Sequence, residues 1–227
     1  MKSISVRVLG TLHFLAIAVL VSGSVSAADK AAPAAVPEGF TALFNGKNLE
    51  GWVGETQGYA AEDGLLVAAK KGGGNLYTEK QYSNFVFRFE FQLQPGGNNG
   101  VGIRCDKGKN AAYHGMEIQI LDDTSPQYAN LQPYQYHGSI YGVVPAKRGH
   151  LKPVGEWNSE EITANGSHIT VKLNGTVIVD ADIEKAGKPS TIDGQDHPGL
   201  FNTTGHIGFL GHGHELKFRN LYIKELD

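Results

Sequence analysis

The chain has 227 residues, of which 41% are hydrophobic and 19% charged, with a formal net charge of −3. It is apolar enough to build a core and too weakly charged for a disordered chain. The near-neutral balance rules out strong nonspecific attraction to nucleic acid. A single cysteine, Cys105, excludes an internal disulfide and a cysteine-built zinc cluster.

The first segment reads as an address. Lys2 and Arg7 precede an apolar run from Leu9 to Val21, followed by small residues ending in Val25-Ser26-Ala27. This is the layout of a secretory signal peptide, expected over 1–27. The run is shorter than the roughly 20 residues of a membrane span. With no second apolar stretch, the mature protein is expected to be exported, periplasmic or secreted, without a membrane anchor. Residues 28–38 are rich in Ala and Pro and read as a linker, which leaves 39–227 as one domain.

The remainder reads as strands. From Asn84 to Leu93, Phe85, Phe87, Phe89, Phe91 and Leu93 alternate with Val86, Arg88, Glu90 and Gln92. That period of two marks a strand with one core face. His168 to Leu173 alternates as well and meets Thr176 to Asp180 across Asn174-Gly175, a type I′ hairpin signal. Asn165-Gly166 gives a second such signal. Residues 214–226 alternate until the phase slips at Asn220-Leu221, as a bulge would produce. Shorter strands are expected over 64–69, 100–105, 115–121, 138–143 and 206–210, and long loops over 126–135 and 182–200. About ten strands, no long amphipathic helix and 30 glycines indicate an all-β, two-sheet antiparallel jelly-roll sandwich.

Five segments carry candidate chemistry. In Tyr113 to Asp123, Glu117 and Gln119 share one strand face and Met116, Ile118 and Ile120 the other. A bulge near Leu121 would turn Asp122 onto the Glu117 face. Such a row can bind sugar hydroxyls or act as acid and base, and a solvated strand end is the plainer alternative. Jelly-roll retaining β-glucanases carry Glu-x-Asp-x-x-Glu on such a strand. Here the places hold Glu117, Gln119 and Asp122, which breaks the matched carboxylate pair of that mechanism. Arg104, beside Gly102, can polarise a ligand oxygen or make a structural salt bridge. His137, Ser139 and Tyr141 would share a face. Lys147 follows, with solvated loop charge as its alternative. Trp157 can stack on a sugar or pack in the core. His212 and His214, two apart, can hold a metal only with a third ligand that the sequence does not identify.

Several segments together resemble one family. They are 39–52, Asn99-Gly-Val-Gly-Ile-Arg104, 115–123, Gly155-Glu-Trp-Asn158, Leu173-Asn-Gly175 and Gly211-His-Gly213 ahead of Phe218-Arg-Asn-Leu221. In this order they resemble the 3-keto-disaccharide hydrolase domain family over about 39–226. The resemblance implies a concanavalin-A-like lectin/glucanase jelly roll in an exported bacterial protein. It also implies cleavage of glycosides already oxidised to a ketone at sugar C3. One position departs from the family: Leu210 stands where Gln is common.

The ketone acidifies the C2 hydrogen, so a base can remove it, the C1 substituent can leave, and water can add. That route needs one base, an oxyanion stabiliser and an acid. On this reading Glu117 or His137 is the base, and Arg104 and Gln119 stabilise the enolate, with or without a divalent metal. Asp122 or Tyr141 protonates the leaving group, while Trp157, Lys147 and His212 contact the sugar. The alternative is a lectin-like module that binds carbohydrate without chemistry.

Overall fold

A computed structural model of the chain describes residues 35–68 and 73–227. The expected signal peptide and residues 28–34 of the linker lie outside the described residues. Thirteen strands form two antiparallel sheets among the described residues, with one short α-helix, α1 (Ile183–Ala186), and three single-turn 3-10 helices. No helix among them is long and apolar enough to cross a membrane.

The larger sheet runs in the order β11 (Thr176–Asp182), β10 (His168–Leu173), β9 (Trp157–Asn165), β6 (Phe85–Gln92), β13 (Leu216–Glu225), β4 (Leu65–Ala68) and β3 (Tyr59–Glu62). The short β1 (Thr41–Ala42) pairs with β13 beyond β4. The smaller sheet is β2 (Trp52–Gly54), β5 (Gly74–Tyr82), β12 (Gly205–Gly211), β7 (Asn98–Cys105) and β8 (Met116–Leu121).

Period-two patterning builds the core. The four phenylalanines of β6 are at most 2% exposed and face Val101, Ile103, Ile118 and Ile120 of the smaller sheet. Phe209 of β12 joins the layers, with its ring 4.1 Å from Phe218 and 6.1 Å from Phe89. Each such ring stabilises the fold by about 1.5–3 kcal/mol through burial.

The turns follow the sequence with one change of type. Asn174 and Gly175 both have positive φ, at 49° and 87°, and join β10 to β11 as a type I′ turn should. At the other hairpin Asn165 pairs with His168, so Gly166 and Ser167 are the central residues. Only Gly166 has positive φ, which makes the turn type II′ rather than I′. The expected bulge in β13 is present: its register against β6 shifts between Arg219 and Tyr222, and Asn220 has φ 55°.

Residues 138–143 do not form the expected strand. Gly138 and Gly142 have φ of 77° and 74°, which breaks the extended run. The segment instead follows β8 irregularly, through bonds from Gly138 N to Gln119 O, Gln119 N to Ser139 O and Tyr141 N to Glu117 O. It thereby covers the open edge of the smaller sheet.

Candidate active site

The outer face of the smaller sheet carries a cavity of about 290 Å³, near the lower end of small-molecule sites. β8 supplies its floor. Glu117 and Gln119 point outward because Met116, Ile118 and Ile120 fill the core. Alternation continues undisturbed, so Leu121 lines the cavity and Asp122 does not.

Two glycines of β7 make room. Gly100 pairs with Gln119 and Gly102 with Glu117. A Cβ on Gly100 would lie 2.1 Å from Glu117 Oε1, so the carboxyl group rests where a side chain would otherwise be. Glu117 is 5% exposed, and its Oε1 is buried without a hydrogen-bond partner. His212, in the loop after β12, faces that oxygen from 3.6 Å and keeps 47% of its side chain exposed.

The walls are the start of β7 and the surrounding loops. Asn98 accepts a 2.8 Å hydrogen bond from Gln119 Nε2, leaving the second N–H and the carbonyl of Gln119 for a ligand. Tyr141 accepts from Gln135 Nε2 at 2.9 Å, so its own hydroxyl proton remains to be donated. Tyr113 and Tyr128 complete the rim. Burial raises the pKa of both phenols, assisted at Tyr113 by the neighbouring Tyr141 and Asp193. Beside the cavity, on the same outer face, Tyr77, Cys105, Ala111 and Leu210 form a second apolar cluster. Burial, the neighbouring Cys105 and Glu117 push the Tyr77 phenol up to about 12. Leu210, the departure from the family pattern, is therefore packed rather than ligand-facing.

Glu117, Gln119, Tyr141 and His212 thus come together, and the other sequence candidates do not. His137 is 2% exposed and points between the sheets, 5.2 Å from the Phe91 ring and 3.1 Å from Glu160. Its Nδ1 accepts from Leu121 N, so it braces β8 from behind. The positive φ of Gly138 is what parts it from Tyr141. Asp122 closes a turn, accepting from Gly96 N at 2.8 Å and from both Thr124 N and Thr124 Oγ1.

Arg104 has φ 50°, and this local break turns its side chain away from Gly102. The guanidinium reaches the hairpins of the larger sheet, donating to Ser83 O, Gly166 O and Asn84 Oδ1. Its partners are carbonyl oxygens, so neither a ligand contact nor a salt bridge describes it. Trp157 lies on the outer face of the larger sheet, with the Arg219 guanidinium 4.0 Å above its ring. Lys147 is exposed beside β11, where its backbone N–H bonds Ile178 O.

Sequence reasoning gave no role to Asn98, to Tyr113, which opens a candidate segment, or to Tyr128 and Gln135. The last two sit in the segment read as a long loop, and a long polar loop is itself a signal for binding residues. His212 and His214 are in a loop after β12 rather than on one strand face. Among the described residues no group of three or more His, Cys, Asp or Glu gathers as a metal site. Glu117 and His212 alone fall short of the three protein ligands of a catalytic zinc centre.

Comparison with known proteins accords with this architecture. A carbohydrate-binding module, CBM66 from Bacillus subtilis, shares the fold alone, at 14% identity and a TM-score of 0.51 over 77% of this chain and 96% of that one. A crystal structure of a candidate glycosyl hydrolase from Parabacteroides distasonis is 34% identical, with a TM-score of 0.73, over 82% of this chain and 99% of that one. A 3-keto-disaccharide hydrolase of Bacteroides thetaiotaomicron is 26% identical over 84% of this chain and 79% of its own length. The profile of the 3-keto-alpha-glucoside-1,2-lyase-like domain matches residues 39–224, and with that span matched the chain belongs to this domain family.

Proposed function

We propose that the protein cleaves glycosides whose sugar already bears a ketone at C3, by elimination followed by addition of water. One observation carries the reading: Glu117 is the sole carboxylate among the residues lining the cavity. Ordinary glycosidases need two carboxyl groups flanking the bond. A ketone removes that need, because it makes the C2 hydrogen acidic enough for a single base.

Each residue then has a task that its surroundings support. Glu117 takes the C2 proton through its Oε1, which is buried and has no hydrogen-bond partner to displace. Gln119 donates its free N–H to the oxygen that gains charge as the enolate forms. The C1–O bond breaks, and Tyr141 gives its proton to the departing oxygen. Water adds to C1, its released proton going to the Tyr141 phenolate, and Glu117 returns a proton to C2. The tyrosines of the rim offer ring faces to the sugar, the task expected of Trp157. The name of the Bacteroides relative and the family profile support the same substrate class. The apolar segment within 1–27 supports export to the periplasm or beyond.

The test is incubation with a 3-keto-glucoside and with its unoxidised parent. Release of the aglycone is expected from the keto form alone. Glu117→Gln is expected to lower kcat by about 10²–10⁴-fold with thermal unfolding little changed. Saturable binding of the unoxidised glycan with turnover of neither compound would replace this reading by the lectin-like one.

A further inference from the structure

We propose that His212 is the relay that carries protons between the buried Glu117 and solvent. The proposal rests on the elimination reading and assigns a step that reading leaves open. Glu117 is 5% exposed, so a proton taken from C2 has no direct way out while the cavity is filled.

The surrounding groups narrow the choice. Tyr77 and Cys105 lie beside the carboxylate, but burial raises both pKa values. They keep their own protons at neutral pH and cannot accept another. His212 Nε2 lies 3.6 Å from Glu117 Oε1, and nearly half of its ring side chain is in solvent. It joins the buried oxygen to the outside. The gap exceeds a hydrogen bond by a few tenths of an ångström, the kind of looseness that closes when a ligand fills a site.

The backbone holds the ring in place. His212 stands between Gly211 and Gly213, and Gly213 has φ 78°. A Cβ on Gly211 would come 2.7 Å from Gly74 O and 3.1 Å from Tyr59 Oη, so the chain packs closely there. The relay position is therefore rigid at its base and open at its tip.

C2 loses a proton to Glu117 and keeps the electron pair as the enolate. The Nε2 lone pair of His212 takes that proton, which restores the carboxylate and forms imidazolium. The imidazolium releases Nδ1–H to water. After water has added to C1 and given its proton to the Tyr141 phenolate, the same path run backwards returns one proton to C2. The protein gains and loses none overall.

The test uses the full-length protein and His212→Ala, assayed for aglycone release from a 3-keto-glucoside with and without added imidazole. Truncation at an exposed site opens a space that free imidazole can enter. We expect kcat to fall by about 10-fold or more, KM to change little, and imidazole to restore kcat in the variant while leaving the parent unaffected. His212→Gln, which fills the space but cannot relay, should be slow and unresponsive. A KM increase with kcat retained would assign His212 to substrate binding and overturn the relay. So would a slow His212→Ala that ignores imidazole. Absence of release by the unsubstituted protein would overturn the elimination reading as well, which separates the two failures.

Discussion

Gly100 decides where the Glu117 carboxylate can lie. The glycine's missing Cβ is the space that Oε1 occupies, at 2.1 Å from where that carbon would be. The position is extended rather than left-handed, so alanine is compatible with the backbone, and the conflict is with the carboxylate alone. Gly100→Ala is expected to push Glu117 out of place and lower kcat/KM by at least about tenfold. Unfolding should shift by no more than about 1–2 kcal/mol. Paired measurements of kcat/KM and thermal unfolding check this, and unchanged kinetics would detach Glu117 placement from activity. At this scale the sequence was legible where alternation held: Glu117 and Gln119 fall on the predicted face. It misled wherever one residue leaves the extended region. Arg104, with φ 50°, looks like a neighbour of the site by counting and is turned to the far hairpins by its own backbone.

Among the elements, the loop after α1 supports two walls of the cavity at once. His197 packs its ring 4.7 Å from Tyr113, and its Nε2 lies 3.0 Å from Asp193 Oδ2. Asp193 presses on the turn after Tyr141: a Cβ on Gly142 would meet its carboxylate at 2.3 Å. Burial alone would raise the Asp193 pKa. Hydrogen bonds from Gln195 N, Thr191 Oγ1 and His197 outweigh it and hold the carboxyl below its ordinary value. A depressed pKa means the stabilisation is complete above the ordinary carboxylate pKa, near 3.9, and is lost as pH falls from there through the folded value. The parent protein should therefore loosen below about pH 4. Asp193→Asn should lose about 1–3 kcal/mol at neutral pH and show a flatter acid limb. Unfolding midpoints of both proteins from pH 7 down to about 3 check the sign, and parallel acid limbs would contradict it. None of this loop's role was legible, because periodicity describes strands and these contacts join residues about fifty and about eighty positions apart. The same limit hid Tyr128 and Gln135. It also turned residues 138–143 into an expected strand, although Gly138 and Gly142 interrupt it.

At the scale of the molecule, the sandwich separates support from chemistry. The core between the sheets was the most legible part, since the alternating phenylalanines of β6 demand a partner layer. Its interior also takes His137 with Glu160, two polar groups that counting along the chain cannot distinguish from site residues. Outside the smaller sheet, Tyr77 lies across Gly208, and Leu210 and Cys105 cover Gly102. These side chains fill the middle of the face and confine the cavity to the β7–β8 end. The space left holds a single carboxylate, Glu117, with the Gln119 amide and the Tyr141 phenol beside it, the set that the proposed elimination requires. The most direct test is a kinetic isotope effect on aglycone release from a 3-keto-glucoside deuterated at C2. If Glu117 breaks the C2–H bond, the deuterated substrate reacts distinctly more slowly, and the difference persists when the leaving group is varied. Equal rates for the two isotopologues, with release still dependent on Glu117, would contradict rate-limiting abstraction of the C2 proton by that residue.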